Sequence, residues 1–241
     1  GDALERMREL KDEDELALIK DAVRIAEEAF LHIKPHIRAG RTERSIALRL
    51  ERMMKELGSA ALPFEIIVAS GPNSSKPHAG AFGRKFRPGD LVTIDWGAQS
   101  GGYCSDMTRT LLLSGGSSDM AKKKRIYSLV KRANSKAIKH LAPGVRLRAV
   151  DLQARALISG AGYGEYFGHG LGHGVGLDVH EAPRLSPRAR RTARTGMVVT
   201  IEPGIYVPHL GGVRIEDMAF VGRVKADVLT HLPVELEIIG S

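Results

Sequence analysis

Residues 92–110, VTIDWGAQSGGYCSDMTRT, set two aspartates in strand-forming runs on either side of a glycine pair. A β-hairpin turning at Ser100, Gly101 and Gly102 places Asp95 and Asp106 about opposite each other on one face. Cross-strand Cβ atoms lie roughly 4.5–5.5 Å apart, so two carboxylates there repel. The pattern recurs in the second half of the chain. RPGDLVTIDWG at 87–97 aligns without gaps with RTGMVVTIEPG at 194–204, setting Glu202 over Asp95. GGYCSD at 101–106 matches GGVRIE at 211–216, which sets Glu216 over Asp106. Four facing acids are prohibitively unfavourable in a low-dielectric centre unless protonated or neutralised. Two divalent cations balance four carboxylates, and an oxygen-dominated ligand set favours Mn²⁺, with Co²⁺ or Fe²⁺ next, over a thiolate zinc site.

A neutral imidazole can complete such a shell without changing that balance. FGHGLGHGVGLDVHE at 167–181 offers His169, His173 and His180. The four-residue step from His169 to His173 matches two ligands on a zinc-protease helix, yet Gly170 stands where the glutamate of that motif belongs. The glycines between Gly168 and Gly176 also disfavour a helix, so a glycine-rich strand or loop approaching a crowded centre is expected. His180 lies an odd number of residues after His173, so the chain between them must bend if both face one site.

The surrounding periodicities supply the scaffold. Apolar residues at three- and four-residue steps predict a helix from Leu10 to Ile37, with Asp12 and Glu15 as a capping-box start. A second helix is expected from about Thr42 to Leu57, ending at Gly58. A strand near Phe64–Ser70, a loop carrying His78 and the acidic hairpin follow. After the turn-rich stretch 114–118, helices at about Met120–Leu141 and Leu147–Gly160 repeat the order. Strands are expected near Met197–Ile201, Val213–Val221 and Asp227–Leu236. The duplication predicts a single α+β catalytic domain over 1–241, made of two halves at about 10–115 and 119–238 related by a pseudo-twofold axis, with matching strands converging near it.

Composition narrows the class. The 241 residues, 43% hydrophobic, suffice for a substantial core, and no apolar run reaches the roughly 20 residues of a membrane-spanning helix. One cysteine, Cys104, makes no internal disulfide and points to a reducing, cytoplasmic setting with a buried small residue in a strand. The net charge of +8 raises nucleic acid as a partner. Arg184, Arg188, Arg190, Arg191 and Arg194 nevertheless crowd one proline-containing loop, and no interleaved aromatics or binding module accompany them. They are read as a solvated face, with no specific nucleic-acid partner.

The motifs DWGAQSGGYCSD, FGHGLGHGVGLDVHE, TIEPGIY, GGVRIED and NSSKPHAG occur in the order found in a metallopeptidase family, and residues 8–238 resemble it throughout. That family has the pita-bread fold: a curved antiparallel sheet with outer helices. It contains methionine aminopeptidases, aminopeptidase P and prolidases. The resemblance implies two divalent ions, Mn²⁺ favoured and Co²⁺, Fe²⁺ or Zn²⁺ as alternatives. Asp95 would chelate one ion, Asp106 and Glu216 would bridge, and His173 and Glu202 would complete the other shell. It further implies that water activated between the ions attacks the scissile carbonyl. His180 and His78 would contact the peptide and stabilise the tetrahedral intermediate, and Glu202 would shuttle a proton. His169 and Arg214 would shape the pocket for proline. HGLGHG, EPGIY and VRIED are most similar to the proline-specific branch, implying cleavage of Xaa-Pro bonds in dipeptides or at peptide N-termini. A methionine aminopeptidase, a non-catalytic binding member and a metal-free creatinase-like hydrolase are the alternatives. Proline-specific members carry a further N-terminal domain that this sequence lacks; a homodimer is an assembly the resemblance allows.

Overall fold

The computed structural model describes residues 2–116 and 119–240. Residues 117 and 118 of the turn-rich stretch lie outside them. The first half contains α1 (Asp2–Arg8), α2 (Glu13–Ile33), α3 (Glu43–Glu56), β1 (Ile67–Ser70), β2 (Leu91–Trp96), β3 (Gln99–Ser100), β4 (Tyr103–Cys104) and β5 (Met107–Leu113). The second half repeats the helix pair in α4 (Met120–His140) and α5 (Leu147–Gly160). It continues with β6 (Gly172–Gly174), β7 (Glu181–Leu185), β8 (Val198–Ile201), β9 (Gly204–Val207), β10 (Gly211–Arg214), β11 (Asp217–Val221), β12 (Ala226–Val228) and β13 (Ile238–Ile239).

The helix expected from Leu10 to Ile37 is shorter at both ends, running from Glu13 to Ile33. Asp12 forms the capping box with Glu15, so α2 begins after Leu10 and Lys11, while α1 precedes it as a separate helix. Pro35 follows the end of α2 in a 3-10 turn. Thr42 caps α3 by accepting from the Ser45 amide at 3.1 Å.

Two sheets result, ordered β1-β2-β5-β13 and β12-β11-β8-β6-β7, with β3/β4 and β9/β10 as two-stranded ribbons. All pairings are antiparallel except β13 on β5. One core packs α2 and α3 on the first sheet through Ile19, Phe30, Leu50, Met54, Ile94 and Trp96. Phe30 and Trp96 stack with centroids 4.7 Å apart, and the indole donates to the Ala26 carbonyl at 2.9 Å. A second core packs α4 and α5 on the other sheet through residues such as Val130, Val150, Ile158 and Ile201. Helix pair and sheet thus recur, as the duplication predicts.

Three strand expectations require correction. The first strand starts at Ile67, not Phe64, and Phe64 instead turns towards a central cavity. The run Val213–Val221 is two strands, interrupted at Ile215 and Glu216, where the chain leaves the β9/β10 ribbon and the Glu216 amide donates to Thr108 of the first half at 3.1 Å. Beyond Val228 the chain is irregular until Ile238. There the carbonyls of Leu232, Val234 and Glu235 are satisfied by Arg109 and Tyr127 side chains rather than by a ladder.

Candidate active site

The acidic hairpin turns tightly on Gly101 and Gly102, both at positive φ (54° and 87°), the geometry that two-residue hairpin loops favour. Ser100 therefore pairs with Tyr103, and Asp95 pairs with Thr108. This corrects the three-residue turn: Asp106 stands diagonal to Asp95, two positions from its partner. Period-two alternation keeps it on the same face. In the second half Glu202 follows β8 and Glu216 follows β10, at the gap between ribbon and sheet.

The strands bring these acids together with histidine. Donor atoms of Asp95, Asp106 and Glu216 lie within 4.8 Å of one another, as do those of His173, Glu202 and Glu216, and those of Asp106, His173 and His180. His173 Nε2 is 3.5 Å from Asp106 Oδ2 and 3.4 Å from Glu202 Oε1. His173 Nδ1 faces the Gly174 carbonyl at 3.1 Å. A carbonyl only accepts, so the proton sits on Nδ1 and the Nε2 lone pair points at the acids, the tautomer a metal ligand needs. β6 is the glycine-rich strand anticipated: a Cβ on Gly172 would stand 2.0 Å from the Thr200 carbonyl oxygen. That close approach lets the Thr200 hydroxyl accept from the His173 amide at 3.1 Å. The chain after β6 bends, and the His173 and His180 rings lie 4.4 Å apart.

Arg214 organises the adjoining wall. Its Nη2 donates to Asp95 Oδ2 at 2.6 Å, its Nη1 to the Tyr206 hydroxyl at 2.8 Å and the Pro77 carbonyl at 3.1 Å, and its Nε to Thr108 Oγ1 at 3.0 Å. The Thr108 hydroxyl donates onward to Glu216 Oε2 at 2.6 Å. The Tyr206 hydroxyl is 3.0 Å from His169 Nε2, and His169 Nδ1 meets the Gly170 carbonyl at 2.8 Å. Direction follows: guanidinium to phenol oxygen, phenol proton to Nε2, and Nδ1 proton to the carbonyl. Arg155 Nη2 fixes the His169 backbone by donating to its carbonyl at 2.8 Å.

Burial dominates the titration of the cluster. It raises Asp106 and Glu216 well above the usual carboxylate range, each further raised by the neighbouring acids. Glu202 is pushed up to about 8, burial outweighing Arg214. His173 is lowered to about 3 and His169 to about 4, again chiefly by burial. His180 is lowered by burial and by Arg184. Arg214 stays charged because Tyr206 and the acids outweigh its desolvation.

The donors fit divalent cations. Asp95 Oδ1 is buried with no hydrogen-bond partner, beside three more carboxylates, and Arg214, paired with Asp95 Oδ2, offsets one of the four charges. Unpaired buried oxygen aimed into an acidic cluster costs free energy unless a cation answers it. Asp95, Asp106, His173, His180, Glu202 and Glu216 carry the donor atoms grouped closely enough to hold ions. A cavity of about 500 Å³ opens over them, with His78, His180 and His169 on its walls.

All nine anticipated residues thus line one cavity. Reading the sequence missed Tyr206, Thr108 and Arg184. Arg184 was grouped with a solvated loop, but 181–185 form β7, whose pairing with β6 sets Arg184 opposite His173 and on the cavity wall. Thr108, two residues beyond Asp106, carries the only prior signal of the three: same-face alternation.

The family model for "Metallopeptidase family M24" matches residues 17–223. The Xaa-Pro dipeptidase of Pyrococcus horikoshii is 43% identical over 235 residues, covering 98% of this chain and 66% of that protein. The solved structure of X-Pro aminopeptidase from Thermotoga maritima superposes with a TM-score of 0.94 at 40% identity, over 99% of this chain and 66% of that one. Prolidase from Pyrococcus furiosus gives 0.93 at 40% identity, over 96% and 68%. The chain spans about two thirds of the length of the curated relatives it matches.

Proposed function

The chain belongs to metallopeptidase family M24 and has its pita-bread fold, and from that premise we propose that it is a two-metal peptidase hydrolysing Xaa-Pro bonds. The observation that carries the reading is the convergence of four carboxylates and a neutral His173 from both halves, with Asp95 Oδ1 unpaired. Asp95, Asp106 and Glu216 would hold one ion, and His173, Glu202 and Glu216 the other, with Asp106 shared. Divalent ions in such a centre supply Lewis acidity, which acidifies water and polarises a carbonyl. Mn²⁺ suits the oxygen-rich set best; Co²⁺, Fe²⁺ and Zn²⁺ are the competitors.

The chain's own groups account for the remaining steps. His180, kept neutral by burial and Arg184, retains one N–H to donate to a developing oxyanion, and His78 approaches from another part of the wall. Glu202, on the cavity wall beside the ion-holding groups, would hold and release the proton that the leaving nitrogen requires. An Xaa-Pro nitrogen carries no hydrogen, so the wall beside it needs shape rather than an acceptor. His169, Tyr206 and Arg214, locked in their relay, supply a rigid one. Arg184 is the cation at the rim suited to a peptide's terminal carboxylate, which favours dipeptides. The relatives named as dipeptidase and as aminopeptidase support cleavage beside proline in both settings. No helix among the described residues is long and apolar enough to cross a membrane, and the single buried free thiol fits a reducing, cytoplasmic setting.

The test compares hydrolysis of Ala-Pro and Met-Ala by the dialysed, Mn²⁺-reconstituted protein. Faster hydrolysis of Ala-Pro is expected. Faster release of Met would move the chain to the methionine aminopeptidases, and a folded chain that binds no divalent ion would contradict the peptidase reading, leaving a non-catalytic binding member or a metal-free creatinase-like hydrolase.

A further inference from the structure

Glu43 is the first residue of α3, immediately after the cap Thr42, and its side chain is fully buried. Its carboxylate lies outside the acidic cluster, and the reaction described above does not use it. Both oxygens accept from a single segment, 70–82. Oε1 receives the Ser70 amide and the Ser70 hydroxyl, each at 2.7 Å, and Asn73 Nδ2 at 3.1 Å. Oε2 receives Asn73 Nδ2 at 3.0 Å and the Phe82 amide at 3.3 Å. The nearby guanidinium of Arg84 donates to Ser70 Oγ and pairs with Asp90 at 2.6 Å. Backbone contacts extend the grip, because the Glu43 and Arg44 amides donate to the Arg84 and Phe82 carbonyls.

Both ends of the segment are therefore tied to one carboxylate, and the stretch between them carries Pro77 and His78. On its other side the segment meets the site: the Gly212 amide donates to Ser74 Oγ at 2.9 Å, and Arg214 donates to the Pro77 carbonyl. Arg214 in turn holds Asp95. The second half solves the same problem with different residues. Buried Asp151 on α5 accepts from the Leu171 amide and pairs with Arg155, which donates to the Phe167 and His169 carbonyls. Each second helix thus sends a buried carboxylate to the histidine-bearing segment that follows it. Two of the donors are backbone amides, of Ser70 and Phe82, so an apolar residue in place of Glu43 would leave them without an acceptor and the segment untied.

We infer that Glu43 is a positioning residue, which holds segment 70–82 so that His78 and the Pro77 carbonyl meet the cavity at the geometry turnover requires. The inference rests on the peptidase reading above. Its test uses Glu43→Gln, which keeps size but turns an NH₂ towards the donors of Asn73 and Phe82, and the pair Glu43→Gln/Asn73→Asp, which restores an acceptor opposite that NH₂.

In the Mn²⁺-loaded protein, Glu43→Gln should lower kcat/KM for Ala-Pro about 10- to 100-fold, the scale of a misplaced catalytic group, with metal stoichiometry unchanged. The double variant should recover more than half of that loss on a logarithmic scale, a coupling that two independent sites would not show. On the metal-free protein, amide exchange across 71–81 should quicken in the single variant and slow again in the double. Wild-type kinetics and exchange in Glu43→Gln, or a double variant no better than the single, would overturn the inference. Should Glu43→Gln fail to fold, Asn73→Ala decides. It cuts one tie at a half-buried residue, and should quicken the same amides and lower turnover while Tm stays within about 2 °C; wild-type behaviour there overturns the latch equally. A wild-type protein that leaves Ala-Pro uncleaved, while exchange still responds to both substitutions, removes the peptidase reading and keeps the latch.

Discussion

Asp95 Oδ1, Arg8 Nε and Arg109 Nε are buried side-chain polar atoms without a hydrogen-bond partner among the described residues, and the first alone faces a cluster of acids. Asp106, His173 and Glu216 each belong to two of the three donor groups, and Glu216 is the residue shared by the group holding Asp95 and the group holding Glu202, so its removal should disturb both. Glu216→Ala should lower turnover by at least about 100-fold and weaken retention of one or both ions. Elemental analysis after dialysis, with initial rates, checks both; full activity would mean Glu216 is no ligand. Arg184→Ala should raise KM for Ala-Pro by about tenfold, the scale of a lost charged hydrogen bond, and change little for the same dipeptide amidated at its C-terminus. Equal effects on both substrates would remove Arg184 from carboxylate recognition. The four acids were legible because the duplication aligns them in pairs. Arg184 was not, since an arginine among five in a loop-like run reads as solvated until the pairing of β6 with β7 turns one of them inward.

At the scale of elements, the contact between Gly172 and Thr200 sets how closely β6 approaches β8. Gly172→Ala must open that approach and carry His173 with it, at a cost of about 1–3 kcal/mol, visible as a lower Tm and weaker metal retention. The halves are joined by a buried ion pair between Arg109 on β5 and Asp217 on β11, 2.7 Å apart, with Arg109 also donating to the Glu216 carbonyl at 2.7 Å. Arg109→Leu strands Asp217 in the core and should cost about 3–5 kcal/mol in denaturant unfolding. A loss below about 1 kcal/mol, the worth of an exposed pair, would show the bridge to be dispensable. Helices α3, α4 and α5 were readable to within a residue or so, because caps and a 3.6-residue apolar period mark them. β6 was readable only as glycine-rich chain and β7 not at all: strands of three and five residues beside proline and glycine offer too little alternation.

For the molecule as a whole, the cluster ties stability to pH and metal. In the metal-free protein Glu202 titrates near 8 against 4.5 unperturbed, and Asp106 and Glu216 are shifted the same way. Acids raised in the folded state contribute stability that is complete below their unfolded values and is lost as pH rises through the folded ones. His169 and His173, lowered to about 4 and about 3, contribute stability present above 6.5 and lost as pH falls. From about pH 7.5 to 8.5 the histidines are neutral in both states and only the acids of the cluster still change, so Tm of the metal-free protein should fall over that interval. One group can contribute up to about 1.4 kcal/mol per pH unit. Added Mn²⁺ should raise Tm, and more at about pH 8.5 than at about pH 7.5. A Tm that climbs over that interval without metal would contradict the shifts. The Arg109–Asp217 bridge and β13, which returns from the second half to lie along β5, have a consequence for chain continuity. Co-expressed as two polypeptides, one ending at 116 and the other starting at 119, the protein should reassemble by fragment complementation, with neither fragment able to retain manganese alone.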